Sequence, residues 1–475
     1  MRNEHIKPQA KRSALKRLFE EATRIFAHAR RILAIALSLA LAMSMLVVPV
    51  AEAAPGDLDR AFGGSGIVRT DFGAEADDEA GAVAVQSDGK IVVVGSTRAA
   101  RSFKRTFAVA RYNSNGTLDA TFGVGGKVVT NVAGDNFSRD SARDVVLLPD
   151  GRILVVGVSA AGFALARYNC DGALNNTFGI GGLVRTDFGP GTIAEANAAA
   201  VQPDGKIVVV GLRRFLGNTD IAIARYNADG TPDQTFGADG KNVESFGGNE
   251  GATDVVLQSD GKIVVSVSVE FGGDFDFAVA RFESNGLPDI TFGAQGLARI
   301  RGPSNEEASA LAFHIGGKIV AVGRNFDRGQ RVFPKEFLVW RFNSNGTVDT
   351  AFGQGGRAIV DFPGQDAAAT AVVVEPQRPK GDPFPSRFRI VVAGSAITRL
   401  VGGPHFALAR FDSNGTLDAT FGRGGTVTTS LFGFNLAANG AALQPNNNVV
   451  AVGVSSARTV PPGPANFVVA RYLWQ

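Results

Sequence analysis

One segment of 17 residues recurs along the chain and limits what the sequence can fold into. FALARYNCDGALNNTFG at 163–179 returns in closely related form in five other copies, which begin at Phe107, Ile221, Phe277, Phe337 and Phe406. The copies follow one another about every 60 residues. A steady internal period of this size is typical of architectures in which each repeat buries its apolar faces against its neighbours. The sequence therefore predicts one large repeat domain.

Each unit reads as four β-strands. In the first unit, GAVAVQ (81–86) and KIVVVG (90–95) flank an Asp-Gly turn, and FAVARYN (107–113) and GKVVT (126–130) complete the set. Asp-Gly between two β-rich runs is a strong hairpin signal, because a two-residue turn needs positive φ and these residues tolerate it. KIVVVG shows no polar alternation, so it should be buried on both sheet faces. Sheets stacked around a ring satisfy this requirement, which predicts an all-β fold, a β-propeller of four-stranded antiparallel blades.

The number of blades follows from two markers. The third-strand arginine occurs seven times, and so does the Phe-Gly pair before the fourth strand. However, the first Phe-Gly, at Phe62, has no third strand before it, and the last third strand, FVVARY (467–472), has no Phe-Gly after it. If GIVRT (66–70) pairs with FVVARY, the two partial units make one blade and the ring closes without an open edge. We therefore predict a seven-bladed β-propeller whose last blade is closed by the N-terminal strand.

The pattern AVxVQxDGKIVVVG, followed by FAxARYNxxGxLDxTFGxxG, resembles the delta-60 repeat family of exported bacterial proteins. It is more distantly similar to NHL-type propeller repeats, and the resemblance covers residues 56–475. It implies a propeller fold and export, and the family brings no established reaction or catalytic residues. The sixth unit departs most, since a Pro-rich insertion at 375–394 replaces the Asp-Gly turn. Asn175 stands where the pattern has aspartate, and Gly316 replaces the turn aspartate of the fifth unit.

Residues 1–53 differ in kind from the repeats. A basic stretch to Arg31 precedes an apolar run at 32–50, and AEA precedes Ala54. These three parts are the regions of a secretory signal peptide, so we predict a leader at 1–53 and the propeller at 54–475. The apolar run of 19 residues is also just long enough to span a bilayer, so an uncleaved anchor is the alternative. Either interpretation predicts a secreted, periplasmic or cell-surface protein.

Charge and cysteine content narrow the classes of partner. The first 53 residues hold nine Lys and Arg and four Asp and Glu, which leaves about −2 for the rest of a chain whose total is +3. No basic tract remains in the repeats, so we expect no nucleic acid partner, and no membrane partner after signal cleavage. The single cysteine, Cys170, forms no internal disulfide and is expected to be an exposed thiol, with an intermolecular bridge as the alternative. A monomer is expected.

The repeated charges are predicted to be structural. They recur in nearly every unit, as packing residues do and as a unique active site does not. A buried guanidinium needs a carboxylate or several carbonyls to satisfy its five donors. The predicted structural set is Arg111, Arg167, Arg225, Arg281, Arg341, Arg410 and Arg471, with Asp119, Asp233, Asp289, Asp349 and Asp418 and, in the same series, Asp59.

Catalytic and metal-binding residues are scarce. After the leader only His314 and His405 remain, 91 positions apart, which gives a histidine metal site or a Ser-His-Asp triad little to build from. The Asp-Gly and Asn-Gly turns offer oxygen ligands for calcium, but none has the twelve-residue ligand spacing. We expect no cofactor, with calcium as the alternative, and assign no catalytic residue.

The loops point to binding. In a propeller, the loops from second to third strand and from fourth strand to the next first strand emerge on one face, named here the variable face because these loops differ in length and charge. Loops on a rigid scaffold are the usual place for binding residues. The alternative is solvated loop charge. The candidates are Asp77, Asp78, Glu79, Arg98, Arg101, Lys104, Arg105, Arg213, Arg214, Asp274, Asp276, Arg328 and Arg331.

Three functions remain open at this point, one of them a passive surface repeat with no specific ligand. The leading hypothesis is an exported, non-enzymatic binding or scaffold propeller that recognises a protein or a surface polysaccharide through the variable face. The alternative is a metal-assisted lyase or hydrolase at the mouth of the central channel. Its candidate acids are Asp77, Asp78, Glu79, Asp274 and Asp276.

Overall fold

A computed structural model describes residues 16–17, 20–26, 28–30, 53–135, 139–160, 162–302, 305–326, 336–376, 387–398, 403–458 and 463–474. The chain divides into two compact units, Met1–Ala53 and Ala54–Gln475. In the first unit, the described residues from 16 to 30 are helical and exposed, and the apolar segment 32–50 of the predicted leader lies outside the described residues. No helix within the described ranges has the length and apolar character needed to cross a bilayer.

The second unit consists of seven four-stranded antiparallel sheets, as the sequence predicted. The first fourteen strands are β1 (Ile67–Thr70), β2 (Asp77–Val85), β3 (Ile91–Arg98), β4 (Thr106–Tyr112), β5 (Lys127–Thr130), β6 (Ser141–Leu147), β7 (Ile153–Ser159), β8 (Gly162–Tyr168), β9 (Leu183–Thr186), β10 (Ile193–Val201), β11 (Ile207–Phe215), β12 (Asn218–Tyr226), β13 (Lys241–Glu244) and β14 (Asn249–Leu257). The others are β15 (Ile263–Phe271), β16 (Asp274–Phe282), β17 (Leu297–Ile300), β18 (Asn305–His314), β19 (Lys318–Phe326), β20 (Glu336–Phe342), β21 (Arg357–Val360), β22 (Gln365–Val374), β23 (Ile390–Thr398), β24 (Pro404–Phe411), β25 (Thr426–Thr429), β26 (Phe434–Leu443), β27 (Val449–Ala457) and β28 (Ala465–Tyr472). A 3-10 turn, Ile315–Gly317, joins β18 to β19.

Blades 1 to 6 take their four strands consecutively, from β2–β5 to β22–β25, and blade 7 is ordered β1-β28-β27-β26. The first strands contact one another around the whole ring, so they form its inner wall, and the four-residue fourth strands lie outermost. The second strand is packed on both faces; all residues of β3 except Arg98 are buried. This burial confirms the interpretation of KIVVVG and places the core between successive blades.

Every first strand carries a β-bulge that sequence reasoning did not predict. The pairing with the second strand shifts after Ala80 in blade 1 and at the equivalent point in each other blade. A bulge re-aims the extra residue, and here it directs side chains to the neighbouring blade. Asn197 Nδ2 donates to the carbonyl of Ala252 at 2.7 Å, and Asn439 Nδ2 donates to that of Ala80 at 2.7 Å. The bulges therefore link the blades along the inner wall.

The Asp-Gly hairpin turns differ from the predicted two-residue form. In the first, Gly89 has φ 82°, whereas Asp88 is not among the residues with positive φ. Gly89 N donates to Gln86 O at 2.8 Å, and Gln86 N donates to Lys90 O at 2.8 Å, so the loop is one residue longer than predicted. Asp88 contributes instead through Oδ1, which accepts from Lys90 N at 3.0 Å. The prediction of a hairpin was correct, but only the glycine needs the left-handed conformation.

At several blade boundaries, the hydroxyl of a tyrosine bonds to a threonine of the preceding blade. Tyr112 donates to the Thr70 hydroxyl of the preceding outer strand at 2.7 Å. The same pairing joins Tyr168 to Thr130, Tyr226 to Thr186 and Tyr472 to Thr429, at 2.6–2.9 Å. Where the third strand ends instead in Phe282, Phe342 or Phe411, the residue at the threonine position is Glu244, Ile300 or Val360. The tyrosine hydroxyl is thus present where the threonine partner is present.

The ring closes where the sequence predicted. β1 pairs antiparallel with β28 from Ile67 opposite Ala470 to Thr70 opposite Phe467. The preceding segment extends the contact, since Gly56 N donates to Leu473 O at 2.8 Å and Leu473 N donates to Asp57 O at 2.9 Å. The two partial repeats therefore form one complete blade.

This closure can be tested with proline. Arg471 N donates to Gly66 O, so the antiparallel alternation makes Val68 and Val469 the next pair to exchange backbone bonds. Val68→Pro removes one of those bonds, and we expect it to lower the free energy of unfolding in urea by about 2 kcal/mol or more. Arg69→Pro, compared with Arg69→Ala because both lose the Arg69 contacts with Ser455 and Phe434, is the matched control, since its N–H faces outward at the sheet edge, where proline is tolerated. Equal losses for the two variants would contradict the pairing.

Candidate functional site

The third-strand arginines join each blade to the next. Arg111 is buried, and its Nε donates to Asp119 Oδ2 at 2.8 Å within the blade. Its Nη1 donates to the backbone carbonyl of Cys170 in blade 2 at 2.5 Å. The guanidinium carbon also lies 4.6 Å from the centroid of the Phe122 ring, within range of a cation–π interaction. The charge is thus neutralised on one side and hydrogen-bonded on the other.

The same arrangement continues around the ring. Nε of Arg225, Arg281, Arg341 and Arg410 donates to Asp233, Asp289, Asp349 and Asp418 respectively, at 2.6–2.9 Å. Arg471 pairs with Asp59 through Nη2 at 2.8 Å. The Nη1 atoms of the other six arginines reach the next blade at the carbonyls of Ala228 (from Arg167), Ser284 (Arg225), Ser344 (Arg281), Ser413 (Arg341), Trp474 (Arg410) and Ser114 (Arg471). These groups are committed to packing and leave little capacity for a ligand.

The turns on the face opposite the variable face also form contacts between blades. Gly123 N, in the Phe-Gly pair of blade 1, donates to Asp171 O of blade 2 at 2.7 Å. Gly172 of that turn lies against the Phe122 ring, and a Cβ there would lie 3.1 Å from the ring and 2.9 Å from Gly123 N. The near-identical turns of this face are therefore inter-blade contacts.

Blade 2 is the exception in the arginine series. Asn175 takes the place of the aspartate; its Oδ1 accepts from Arg167 Nη2 at 3.0 Å, and its Nδ2 donates to Asn169 Oδ1 at 2.6 Å. Nε of Arg167 is buried without a hydrogen-bond partner among the described residues. Blade 2 therefore buries a guanidinium without its own carboxylate.

Restoring the carboxylate should stabilise the ring. We expect Asn175→Asp to raise the free energy of unfolding by about 1 kcal/mol, since hydrogen bonds to charged groups contribute more than neutral ones. Asp233→Asn makes the reverse change in blade 3 and should lower it by at least as much. Both values are measurable by urea denaturation. A destabilising Asn175→Asp would show that the asparagine network is the better solution in blade 2.

The aspartates of this series also predict acid sensitivity. Burial by itself raises the pKa of Asp119, but the Thr121 hydroxyl and N–H, Lys90 and Arg111 outweigh it and hold the pKa well below its usual range. Asp233 and Asp289 have their pKa lowered in the same way. Because the folded-state pKa is depressed, their stabilisation is complete above the unfolded value near 4 and is lost as the pH falls below it. Melting temperatures measured between pH 5 and pH 2.5 should fall steeply, and less steeply for Asp233→Asn.

The acids of blade 1 on the variable face are paired with arginines. Asp77 Oδ2 accepts from Arg98 at 2.8 Å and from Arg105 at 3.2 Å, and Glu79 Oε2 lies 3.5 Å from Arg105. Asp78 is fully buried; burial raises its pKa to about 6, and its Oδ2 accepts from the N–H of Phe72 at 2.8 Å. Asp78 therefore holds the loop at Phe72 from inside the protein and is not part of the exposed surface.

The acids and arginines of blades 3 and 4 behave similarly. Arg213 pairs with Asp220 at 2.6 Å, and Arg214 pairs with Glu195 at 2.8 Å. Asp276 is buried and accepts from Arg299 Nε at 2.5 Å. Asp274 lies opposite Phe271 at the tip of the β15–β16 hairpin. Asp77 and Glu79 thus share Arg105, Asp78 bonds to a backbone N–H and Asp276 pairs with Arg299, so the structure does not direct the predicted acids at one point.

The remaining candidates are cations. Arg101 is exposed and Lys104 partly exposed, and neither forms an ion pair with another described residue. They flank Phe103 in the loop between β3 and β4. Arg328 and Arg331 lie outside the described residues.

Sequence reasoning missed the aromatic side chains of the variable face. Phe103, Phe215, Phe271 and Phe432 are exposed, from 38% for Phe215 to full exposure for Phe432. All four lie in second-to-third or fourth-to-first connections or at their strand ends. Leu216, 85% exposed, adjoins Phe215 at the tip of the β11–β12 hairpin. No other aromatic side chain is exposed among the described residues of the propeller, so its exposed aromatic surface is confined to one face.

The histidines and the thiol are apart from this surface. His314 is buried with Nε2 2.9 Å from the carbonyl of Phe388, and burial lowers its pKa. Burial also lowers the pKa of His405. Cys170 is an exposed free thiol on the opposite face. Within the described ranges, no three His, Cys, Asp or Glu residues are grouped so as to hold a metal ion.

Several grooves lie on the side of the ring between blades. One of about 500 Å³ is lined by Arg299, Arg301 and Phe342 at the boundary of blades 4 and 5. Another of about 710 Å³ is lined by Phe72, Val128 and Gly172 at the boundary of blades 1 and 2. These grooves follow from the wedge-shaped gap between outer strands.

Six segments of the chain match the family described as Domain of unknown function (DUF5122) beta-propeller. They are residues 86–122, 148–178, 202–236, 258–292, 334–352 and 389–421. The match supports a β-propeller repeat family for this chain, in agreement with the strand topology. No curated protein matches the chain.

Several solved structures are similar to the chain at low sequence identity. The chain is similar to Drosophila Semaphorin 1b, extracellular domains 1-2, with 12% identity over 85% of this chain and 86% of that chain and a TM-score of 0.47. It is similar to polysaccharide lyase Uly1 with 11% identity over 82% and 89% of the two chains and a TM-score of 0.46. Drosophila Plexin A in complex with Semaphorin 1b gives 12% identity, 85% and 86% coverage, and a TM-score of 0.45. Similarity at this level says nothing about function.

Proposed function

We propose that this protein is an exported, non-enzymatic binding propeller that holds a protein or a surface polysaccharide on its variable face. In this proposal, residues 1–53 are a signal peptide, the repeats are of the delta-60 type with a distant likeness to NHL repeats, and the propeller acts as a monomer without a cofactor. Four features of the described residues support the proposal.

The exposed aromatic residues carry the proposal. Aromatic side chains and arginine are enriched in binding surfaces. Phe103, Phe215, Phe271 and Phe432 all lie on the face whose loops differ from blade to blade. If the phenylalanine rings were exposed only because the packing is imperfect, exposed rings would occur on both faces.

The loops that present these rings are well supported. β11 and β12 extend the blade 3 hairpin to Phe215 opposite Asn218, and β15 and β16 extend the blade 4 hairpin to Phe271 opposite Asp274. The hairpins are braced from the next blade, since Thr219 N donates to Asn249 Oδ1 at 3.0 Å and Phe275 N donates to Asn305 Oδ1 at 2.9 Å. Binding groups held in this way lose little conformational entropy on contact.

The opposite face is already occupied by the protein's own contacts. Its turns accept the arginines and the Phe-Gly amides of the preceding blade, as Cys170 and Asp171 do for Arg111 and Gly123. A ligand that displaced these contacts would weaken the ring. The variable face is therefore the side on which binding and folding do not compete.

The lyase or hydrolase alternative gains no support from the described side chains. General acid–base chemistry or metal binding at the channel mouth would need several acids directed at one point. Asp77, Glu79 and Asp276 are each engaged by an arginine. Asp78 is enclosed below its loop. Binding is the function that this geometry favours.

The proposal can be tested with two matched variants. One replaces Phe103, Phe215, Phe271 and Phe432 with serine, and the other replaces Val124, Ile180, Leu287 and Ile290, exposed apolar residues of the opposite face, with serine. Immobilised wild-type and variant proteins are exposed to an array of purified bacterial surface polysaccharides and to a bacterial secretome. We expect the wild type and the opposite-face variant to retain the same ligand. We expect the phenylalanine variant to lose at least tenfold in affinity with an unchanged melting temperature.

Three results would contradict the proposal. The first is no retention by the wild type from either source. The second is equal retention by both variants, which would remove the variable face from the interaction. The third is catalytic turnover of any polysaccharide in the array, which would favour the enzymatic alternative.

A further inference from the structure

Two aspartates in the inner wall connect neighbouring blades. Asp144 on β6 accepts from the N–H of Val145 at 2.7 Å through Oδ1 and from that of Ala199 in blade 3 at 2.8 Å through Oδ2. Asp254 on β14 repeats the pattern, with Val255 N at 2.8 Å and Leu311 N of blade 5 at 2.9 Å. Each carboxylate thus ties its own first strand to the next one, immediately after the bulge.

This device is confined to blades 2 and 4. The equivalent position holds a small apolar residue or glycine in the other five blades, namely Ala82, Ala198, Ala310, Ala371 and Gly440. Neither Asp144 nor Asp254 forms an ion pair with a described residue. The two carboxylates therefore lie in the inner wall without a counter-ion among the described residues, on blades 2 and 4 with blade 3 between them.

The other charged groups of the surrounding first strands have partners of their own. Arg143, next to Asp144, donates to Asn197 and to Glu195. Glu195 also pairs with Arg214, and Glu307 accepts from Arg324 Nε at 2.6 Å. Glu250 accepts from Gly248 N and Glu306 from Trp340 Nε1. His314, at the end of β18, lies against the Phe388 carbonyl, and burial lowers its pKa. Asp77, Asp78 and Glu79 of β2 have the partners given above. No cation is left over on these strands to compensate Asp144 and Asp254.

The surroundings favour the protonated form. Burial raises the pKa of Asp144, and it raises that of Asp254 to about 7, to which the charge of Asp144 also contributes. The backbone N–H groups act in the opposite direction without cancelling this effect. Asp144 and Asp254 are half-buried as residues, so they are not sealed off from solvent protons.

We propose that Asp144 and Asp254 form a proton-linked latch in the inner wall, which takes up a proton as the ring forms and holds blades 2 to 5 together more firmly in mildly acidic than in neutral medium. The sign follows from the linkage between protonation and folding. The unfolded chain releases this proton near pH 4, whereas the folded ring keeps it to a higher pH. Stability from the latch is complete below about pH 4 and is lost progressively as the pH rises towards 7.

The test compares the pH dependence of unfolding in three forms of the protein. Urea unfolding of the purified wild type, Asp144→Asn/Asp254→Asn and Asp144→Ala/Asp254→Ala is followed at half-unit steps from pH 4.5 to 8. One proton of linkage changes the unfolding equilibrium constant tenfold per pH unit. We expect the ratio of the wild-type constant to that of either variant to rise by up to tenfold per pH unit below pH 7 and then to level off.

The change of the unfolding constant with pH decides the outcome, and not its value at one pH. Each variant also loses hydrogen bonds, and that loss lowers the stability equally at every pH. The alanine variant is expected to fold, since alanine occupies this position in four blades. Asp239→Asn, on an exposed turn, is the control and should keep the wild-type slope. The asparagine and alanine variants should agree with each other. Parallel pH curves for the wild type and both double variants would overturn the proposal.

Discussion

The structure depends on the seven buried guanidinium groups that bridge successive blades. Burying a charge is costly unless it is hydrogen-bonded, and each arginine has an acceptor inside its own blade and another in the next, although Nε of Arg167 and of Arg471 has no hydrogen-bond partner among the described residues. In a linear array the last arginine would lack the second acceptor. Arg471 finds it in blade 1, at Ser114, because the ring is closed. Closure of the ring thus gives the seventh arginine the acceptor in the next blade that the other six have.

This arrangement gives the ring two different faces. One face carries the repeated contacts between blades, and the variable face does not carry them. Arginines, Phe-Gly amides and turn carbonyls occupy the face opposite the variable loops, which explains why its turns are near-copies of one another. The variable loops carry no such bonds between equivalent positions of every blade. They can differ in length and end in exposed rings such as Phe271 without weakening the ring. A binding function on that face therefore requires no compromise with stability.

The fold could be predicted from the sequence because its determinants are repeated. Seven arginines and seven Phe-Gly pairs gave the number of blades, and the two partial repeats gave the closing strand. The pairing of Tyr112 with Thr70 was also readable, since tyrosine and threonine change together along the chain, but it went unnoticed. The bulges were not predictable from the period-2 pattern, because the extra residue differs from blade to blade. The repeats therefore predict the blades and their number, but not local irregularities such as the β-bulges.

The candidate site was much less predictable. A charged residue in a loop gives no sign of its partner, so Asp77 and Arg105 were nominated as separate binding groups although they form one ion pair. Aromatic residues were equally ambiguous. Phe72 and Phe432 both precede glycine after a fourth strand, yet Phe72 packs on Phe467, whereas the extra residue Leu431 fills that core position and displaces Phe432 into solvent. Such a one-residue insertion changes exposure without changing the local motif.

The composite blade has a consequence for how the chain folds. The pairing of Ile67 with Ala470 joins segments that are about 400 residues apart, whereas every other strand pairing joins neighbours in sequence. Contacts between such distant segments form slowly, because a very long loop has to be ordered first. Six blades can assemble in turn while the outer edge of β28 stays open to other chains. We therefore expect docking of β1, a strand only four residues long, to be the last step and to decide between a closed ring and aggregation.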